Sequence, residues 1–336
     1  MKKLFIWTFV VGVVLGAAVM AWGYISFKGN AALESKEFYV SRNTTYDELI
    51  DSLKPSIKHH LAFDIYAERL GLSESYKKGH YVVKDGMNVI EIVRMFKLGL
   101  QTPVKVTMNN VKIPAQLAGK LSNQIAADSA TLLSAMRNKQ LRKELGFVKD
   151  STIAMFIPNT YEVYWDITPE KLLHRIKREY DRFWSAERIA KLERCKLSKY
   201  EVITLASIVY EETKVKDEMA RISGVYINRL RKNMRLQADP TVKYAMGDFT
   251  IKRVLRKHLK FDSPFNTYTN AGLPPAPICI PSIAAIDAVL DYEEHDYLYF
   301  CARPEFDGRH NFAITLDEHN VNARKFADAL NKRGIK

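Results

Sequence analysis

An uncharged, apolar run from Leu4 to Phe27, directly behind Lys2 and Lys3, constrains this chain more than any other feature. A helix over it, rising about 1.5 Å per residue, crosses a hydrocarbon core of roughly 30 Å. The pattern therefore predicts a tail over 1–3, a single transmembrane helix over 4–27 and a polar linker over 28–37. A cleaved signal peptide is the competing reading, but its apolar core usually spans only about 7–15 residues, and no A-x-A site follows this run. Charge does not orient the helix, because Lys28, Lys36 and Arg42 beyond it balance Lys2, Lys3 and the amino terminus before it.

Of the 336 residues 47% are hydrophobic, which excludes a disordered chain, and only 15 Gly and 12 Pro exclude a collagen-like one. Lys and Arg number 51 against 38 Asp and Glu, a net charge of +13. An anionic partner follows, and nucleic acid, anionic lipid and a carboxylate-bearing polymer all satisfy that condition. Cys195, Cys279 and Cys301 lie too far apart for a CxxC clip, and His295, His310 and His319 have no compact ligand spacing. No metal and no cofactor is expected.

Beyond the linker the pattern predicts an α+β chain. A strand–turn–helix unit occurs twice, Phe38 to Asn43 leading into Tyr46 to Lys54, and His80 to Asp85 leading into Val89 to Lys97, with a further helix over His60 to Leu72 between them. The alternation in Pro103 to Thr107 predicts a closing strand. These elements define a small module over 38–108 that resembles the LysM family, which binds the amino sugars of wall glycans. Residues 109–197 read as a mostly helical, basic middle region, broken by a turn or edge at Pro158. Within it Arg178, Tyr180, Arg182, Phe183 and Trp184 alternate basic and aromatic groups, a pattern that a solvated helix with an apolar stripe explains without nucleic acid.

An α+β domain over 198–336 carries the chemistry. Ser198 and Glu201 form a capping box ahead of the helix Leu205-Ala206-Ser207-Ile208-Val209-Tyr210-Glu211-Glu212-Thr213. Helical spacing puts Glu212 on the apolar face with Leu205, Ile208 and Val209, and Glu211 on a polar face with Thr204 and Ser207. A carboxyl held against apolar groups loses hydration in its charged form, so its pKa rises, and a protonated glutamate can donate to a leaving oxygen. The same spacing also allows Glu212 to end a buried face in an ion pair. Downstream, Asn228, the cluster Gln237, Asp239 and Thr241 around an Asp-Pro turn, and the loop holding Asn266 and Tyr268 supply amide, hydroxyl and aromatic groups suited to sugars.

Taken in order, Ala206-Ser207-Ile208-Val209-x-x-Glu212-Thr213, Ile227-Asn228-Arg229-Leu230, Met234 to Val242, Asn266-Thr267-Tyr268, Gly272-Leu273-Pro274-Pro275, His310-Asn311-Phe312 and His319-Asn320 resemble the endolytic murein transglycosylase family of bacteria. Three segments depart from that family's pattern. Tyr210 stands where a first glutamate is common, Ala154 to Tyr161 lacks a Glu-Gly start, and Asn109-Asn110-Val111 replaces a Pro-Glu-Gly turn.

The resemblance implies that Glu212 is the catalytic residue. It implies cleavage of the MurNAc-β-1,4-GlcNAc bond of nascent glycan strands to 1,6-anhydro ends, which would terminate strand elongation. It further implies a single-pass protein of the inner (cytoplasmic) membrane whose carboxy-terminal domain faces the periplasm and wall. The expected partners are peptidoglycan glycan strands, the lipid bilayer and peptidoglycan synthases, not nucleic acid. Asn228, Gln237, Asp239, Thr241, Asn266 and Tyr268 are the candidate substrate contacts. A muramidase-type hydrolase and a non-catalytic wall-binding scaffold are the alternatives.

Overall fold

The computed structural model describes residues 2–147, 152–251 and 253–333, so Met1 of the expected tail and the last three residues of the expected 198–336 domain lie outside the described residues. The structure mixes helices with three two-stranded sheets among those residues, β1 with β2, β3 with β4 and β5 with β6. The chain divides into two units. One comprises the chain through Val106 with Asn123–Ala127 and Glu162–Ile167; the other comprises Thr107–Ser122, Asp128–Tyr161 and the chain from Thr168 on.

In the first unit helix α1 (Lys2–Lys28) contains one segment, Leu4–Lys28, long and apolar enough to cross a membrane, with a mean hydropathy of 2.4. Its apolar side chains, Leu4, Trp7, Phe9 and Met20 among them, stand exposed. Strand β1 (Lys36–Val40) leads to α2 (Tyr46–Leu53), followed by α3 (His60–Arg69), α4 (Leu72–Ser75), β2 (Gly79–Val83) and α5 (Val89–Leu98). Both expected strand–turn–helix units form, and each helix starts where a capping box satisfies its first amides: Thr45 with Glu48, and Asn88 with Glu91. The strands pair antiparallel with Phe38 opposite Tyr81. Phe38 and Val40 alternate inward to meet Leu53, Phe63, Val93 and Phe96 in one core.

Strand β3 (Val104–Met108) and helices α6 (Pro114–Ser122), α7 (Ser129–Arg137) and α8 (Lys139–Glu144) come next, then β4 (Asn159–Val163), α9 (Pro169–Phe183) and α10 (Ala186–Cys195). The basic and aromatic stretch sorts by helical face: Leu172, Leu173, Ile176 and Tyr180 are buried, as is Trp184 just past the helix, while Arg178 and Arg182 face solvent.

The second unit continues through α11 (Lys199–Glu212), α12 (Lys216–Arg231), α13 (Asp239–Met246), α14 (Ile283–Leu290), β5 (Tyr299–Ala302), β6 (His310–Ala313) and α15 (Leu316–Lys332). Helix α11 starts at the expected Ser198–Glu201 capping box, and every residue from Val202 to Val209 is buried. The expected polar face is therefore interior as well. Ser207 fits there because its hydroxyl donates to Thr204 O and accepts from the Ile278 amide at 3.0 Å.

Candidate active site

At the end of the enclosed helix α11 the two glutamates leave the rod about 100° apart and enter different surroundings. Glu211 receives Lys112 Nζ at 2.7 Å and Asn110 Nδ2 at 3.2 Å. Burial works against its charge, but the bonds from Lys112 and Asn110 outweigh burial and hold its pKa below the usual carboxylate range. Glu211 is thus a paired, ionised strut.

Glu212 meets the opposite environment. It lines a cleft of ≈ 420 Å³ in the second unit, and among the described residues its carboxyl has one hydrogen-bond donor, the Tyr226 hydroxyl at 2.7 Å. Burial pushes its pKa up to about 7; the Tyr226 bond acts against this rise and the charge of Asp239 adds to it. Near neutral pH this carboxyl is poised to give or to take a proton, as general acid–base chemistry requires.

Tyr226 comes from the buried face of α12, is 2% exposed, and sets its ring edge-on to Phe300 of β5 at 5.7 Å. Its own pKa is raised by burial and by Glu212, so it stays a donor. One turn further along α12, Arg229 is buried. It donates from Nη1 to Arg235 O and Leu236 O at 3.0 Å and to Gln237 Oε1 at 3.2 Å, and from Nε to Leu298 O at 2.6 Å. These bonds hold the loop before α13 in shape, including Gln237 in the left-handed region at φ 52°. The guanidinium lies over Tyr299, 5.0 Å from the ring centre.

The structure brings three of the six sequence-predicted contacts to the cleft with Glu212. Gln237 and Asp239 are exposed along its wall, and Tyr268 donates its hydroxyl to Asp239 Oδ1 at 2.7 Å. The other three are absent from the cleft lining. Thr241 is fully buried and bonds to Ala238 O at 2.7 Å and to the Thr267 hydroxyl at 2.8 Å. Asn266, also fully buried, spends its amide on Leu259 O, Phe261 O and the Tyr268 amide. Asn228 donates to His295 O and Tyr297 O. Each closes backbone groups that a turn leaves open, and so supports the wall from behind.

The sequence reading did not assign Tyr226, Arg229, Tyr299, Phe300 or Cys301 to the site, though all line the cleft. Tyr226 and Arg229 had a signal, since they share a helical face with Ile222 and Val225 three to seven residues apart. Among the described residues no three His, Cys, Asp or Glu side chains group so as to hold a metal ion, and the three cysteines are unbonded.

Comparison with known proteins places this geometry in context. A family profile described as the YceG-like family matches residues 38–325. The chain is 29% identical over 293 residues to a Bacillus subtilis (strain 168) protein named endolytic murein transglycosylase, covering 82% of this chain and 80% of that one. It is 25% identical over 303 residues to a protein of the same name from Streptococcus pneumoniae (serotype 2, strain D39), covering 81% of this chain but 54% of the longer relative. A crystal structure of a putative yceG-like protein from Listeria monocytogenes is similar with a TM-score of 0.57 and 26% identity, over 86% of this chain and 99% of that one.

Proposed function

The chain belongs to the YceG-like family, and on that premise we propose that it is an endolytic murein transglycosylase in which Glu212 transfers the protons. The observation that carries the reading is the Glu212 carboxyl, held near neutral pKa by burial yet open to a cleft walled by Gln237, Asp239 and Tyr268.

In this reading the strand binds with the oxygen between N-acetylmuramic acid and N-acetylglucosamine at Glu212, which protonates it as the C1–O bond breaks. The resulting carboxylate then removes the proton from the muramyl C6 hydroxyl, whose oxygen attacks C1 and closes a 1,6-anhydro ring. No water is consumed, and Glu212 ends protonated, ready for another turn. One carboxyl serves both transfers because the nucleophile belongs to the substrate. The Tyr226 bond orients the carboxyl and stabilises its charged form between the two transfers. Gln237, Asp239 and Tyr268 are the proposed sugar contacts, with Asn228, Thr241 and Asn266 holding the loops that present them.

Helix α1 is the proposed anchor in the cytoplasmic membrane, with the cleft on the wall side, where cleavage of nascent strands would end their elongation and peptidoglycan synthases would be neighbours. The positive charge suits both the lipid surface and the carboxylates of peptide stems.

Asp239 favours a second reading, because a hydrolase of the muramidase type needs two carboxylates and Asp239 is a second one in the same cleft. One experiment separates the two. Purified sacculi are digested with the full chain in detergent and the products are weighed by mass spectrometry, with Glu212→Gln in parallel. Anhydro ends that vanish with Glu212→Gln are expected. Reducing ends would replace the lytic reading with hydrolysis, and no cleavage by the unaltered chain would leave a wall-binding scaffold.

A further inference from the structure

A carboxylate–imidazole pair stands in the cleft wall, apart from the Glu212–Tyr226 pair. Glu218, in the first turn of α12, is 3% exposed and faces β6. Its Oε1 accepts the His310 amide at 3.1 Å, and its Oε2 lies 3.0 Å from Nδ1 of the same histidine. The ring is further fixed edge-on against Phe300, 5.3 Å between centres at 89°, and the His310 backbone is held in register opposite Ala302.

A carboxylate only accepts, so the proton between Oε2 and the ring belongs to Nδ1. In the neutral ring Nε2 is then the nitrogen with a free lone pair. Among the described residues it has no hydrogen-bond partner, while the ring, with a side chain 12% exposed, lines the same cleft as Glu212. A strut that merely tied β6 to α12 would need the Oε1 bond alone. The second bond does something else: it selects the tautomer, as the buried carboxylate of a nucleophile–histidine–carboxylate triad does.

We propose that His310 is a substrate contact whose Nε2 accepts a hydrogen bond from a hexosamine hydroxyl of the bound strand, with Glu218 as the positioning residue that orients the ring and fixes its proton on Nδ1. This rests on the reading of the cleft as a glycan site. Glu218→Gln is the informative change, because its single oxygen can keep the backbone bond while its amide, which donates, turns to Nδ1. The tautomer then inverts, Nε2 gains a proton, and the hydroxyl must turn from donor to acceptor with the packing intact.

The test uses the full chain in detergent with ¹⁵N-labelled histidine, in a Glu212→Gln background so that strands persist, and uncross-linked GlcNAc–MurNAc strands as the probe. The His310 signals are assigned by their loss in His310→Gln. The free protein is expected to show the Nδ1–H tautomer, and saturating strands to shift Nε2 but not Nδ1 to a comparable degree. Glu218→Gln is expected to invert the tautomer with an unchanged circular dichroism spectrum, and His310→Ala to weaken strand binding by roughly five- to tenfold, the worth of one hydrogen bond. With Glu212 restored, His310→Gln, whose amide oxygen can reach the position of Nε2, should retain more kcat/KM than His310→Ala. Strands that bind without moving Nε2, or bind His310→Ala as tightly as its parent, overturn this proposal and leave the function standing. Strands that do not bind at all overturn both.

Discussion

Replacing Glu212 by Gln should make the protein more stable, and only at the alkaline end of its range. In the folded chain the Glu212 pKa lies at about 7, against an ordinary value of 4.5. One pKa unit corresponds to about 1.4 kcal/mol, so ionising this side chain above pH 7 costs the native state up to about 3 kcal/mol relative to the unfolded chain. Between 4.5 and 7 the native state keeps a proton that the unfolded chain has released, so stability falls as pH rises through that window and levels off above it. Gln has the same size, leaves an oxygen for the Tyr226 hydroxyl and never ionises. The variant and the unaltered chain should therefore melt together near pH 4.5, and the variant should melt higher at pH 8. Each kcal/mol is worth roughly 2–4 °C for a body of this size. Thermal melts of the full chain in detergent at both pH values read the difference. An identical gap at the two pH values, or a less stable variant at pH 8, would refute the reasoning, because the burial penalty on the charged form would then be missing.

Tyr226→Phe removes the bond that lowers the Glu212 pKa, so the alkaline limb of the cleavage pH profile should move upward while the rate falls. Asp239→Asn removes a charge that raises the same pKa, and the limb should move downward; pH–rate curves on sacculi distinguish the two signs. Gly224→Ala would drive a Cβ into the Glu293 carbonyl and the His295 ring where α12 passes that segment. A loss of about 1–3 kcal/mol, read by melting, is expected. Ser198→Ala deletes the cap of α11 and should cost about 1 kcal/mol without altering the pH profile.

What could be read from the sequence follows how local its cause is. The apolar run of α1, the two strand–turn–helix units and the start of α11 are each written within a few neighbouring residues as hydropathy or capping boxes, and all are present. Glu212 was also legible, since helical spacing separates it from Glu211. The environment of Glu211 was not: Lys112 and Asn110 are about a hundred positions away in the chain, and only the folded unit brings them to it. Distance in sequence likewise hid the edge-on contact of Phe300 with Tyr226. Asn228, Thr241 and Asn266 show a different limit. An amide or hydroxyl suits a sugar and a backbone carbonyl equally well, and the choice depends on whether a neighbouring segment leaves its carbonyls open. Here such carbonyls take Asn228 of α12, Thr241 of α13 and the loop residue Asn266, while Gln237 and Tyr268 reach the cleft.

Proton transfer by Glu212 requires that it hold its proton near neutrality, and a site-resolved titration measures that directly. With ¹³C-labelled glutamate in the full chain, the Glu212 carboxyl signal is identified by its loss in Glu212→Gln and followed from pH 4 to pH 9. A midpoint close to 7, moving higher in Tyr226→Phe and lower in Asp239→Asn, is the predicted result. A midpoint at the ordinary glutamate value of 4.5, indifferent to both neighbours, would contradict it.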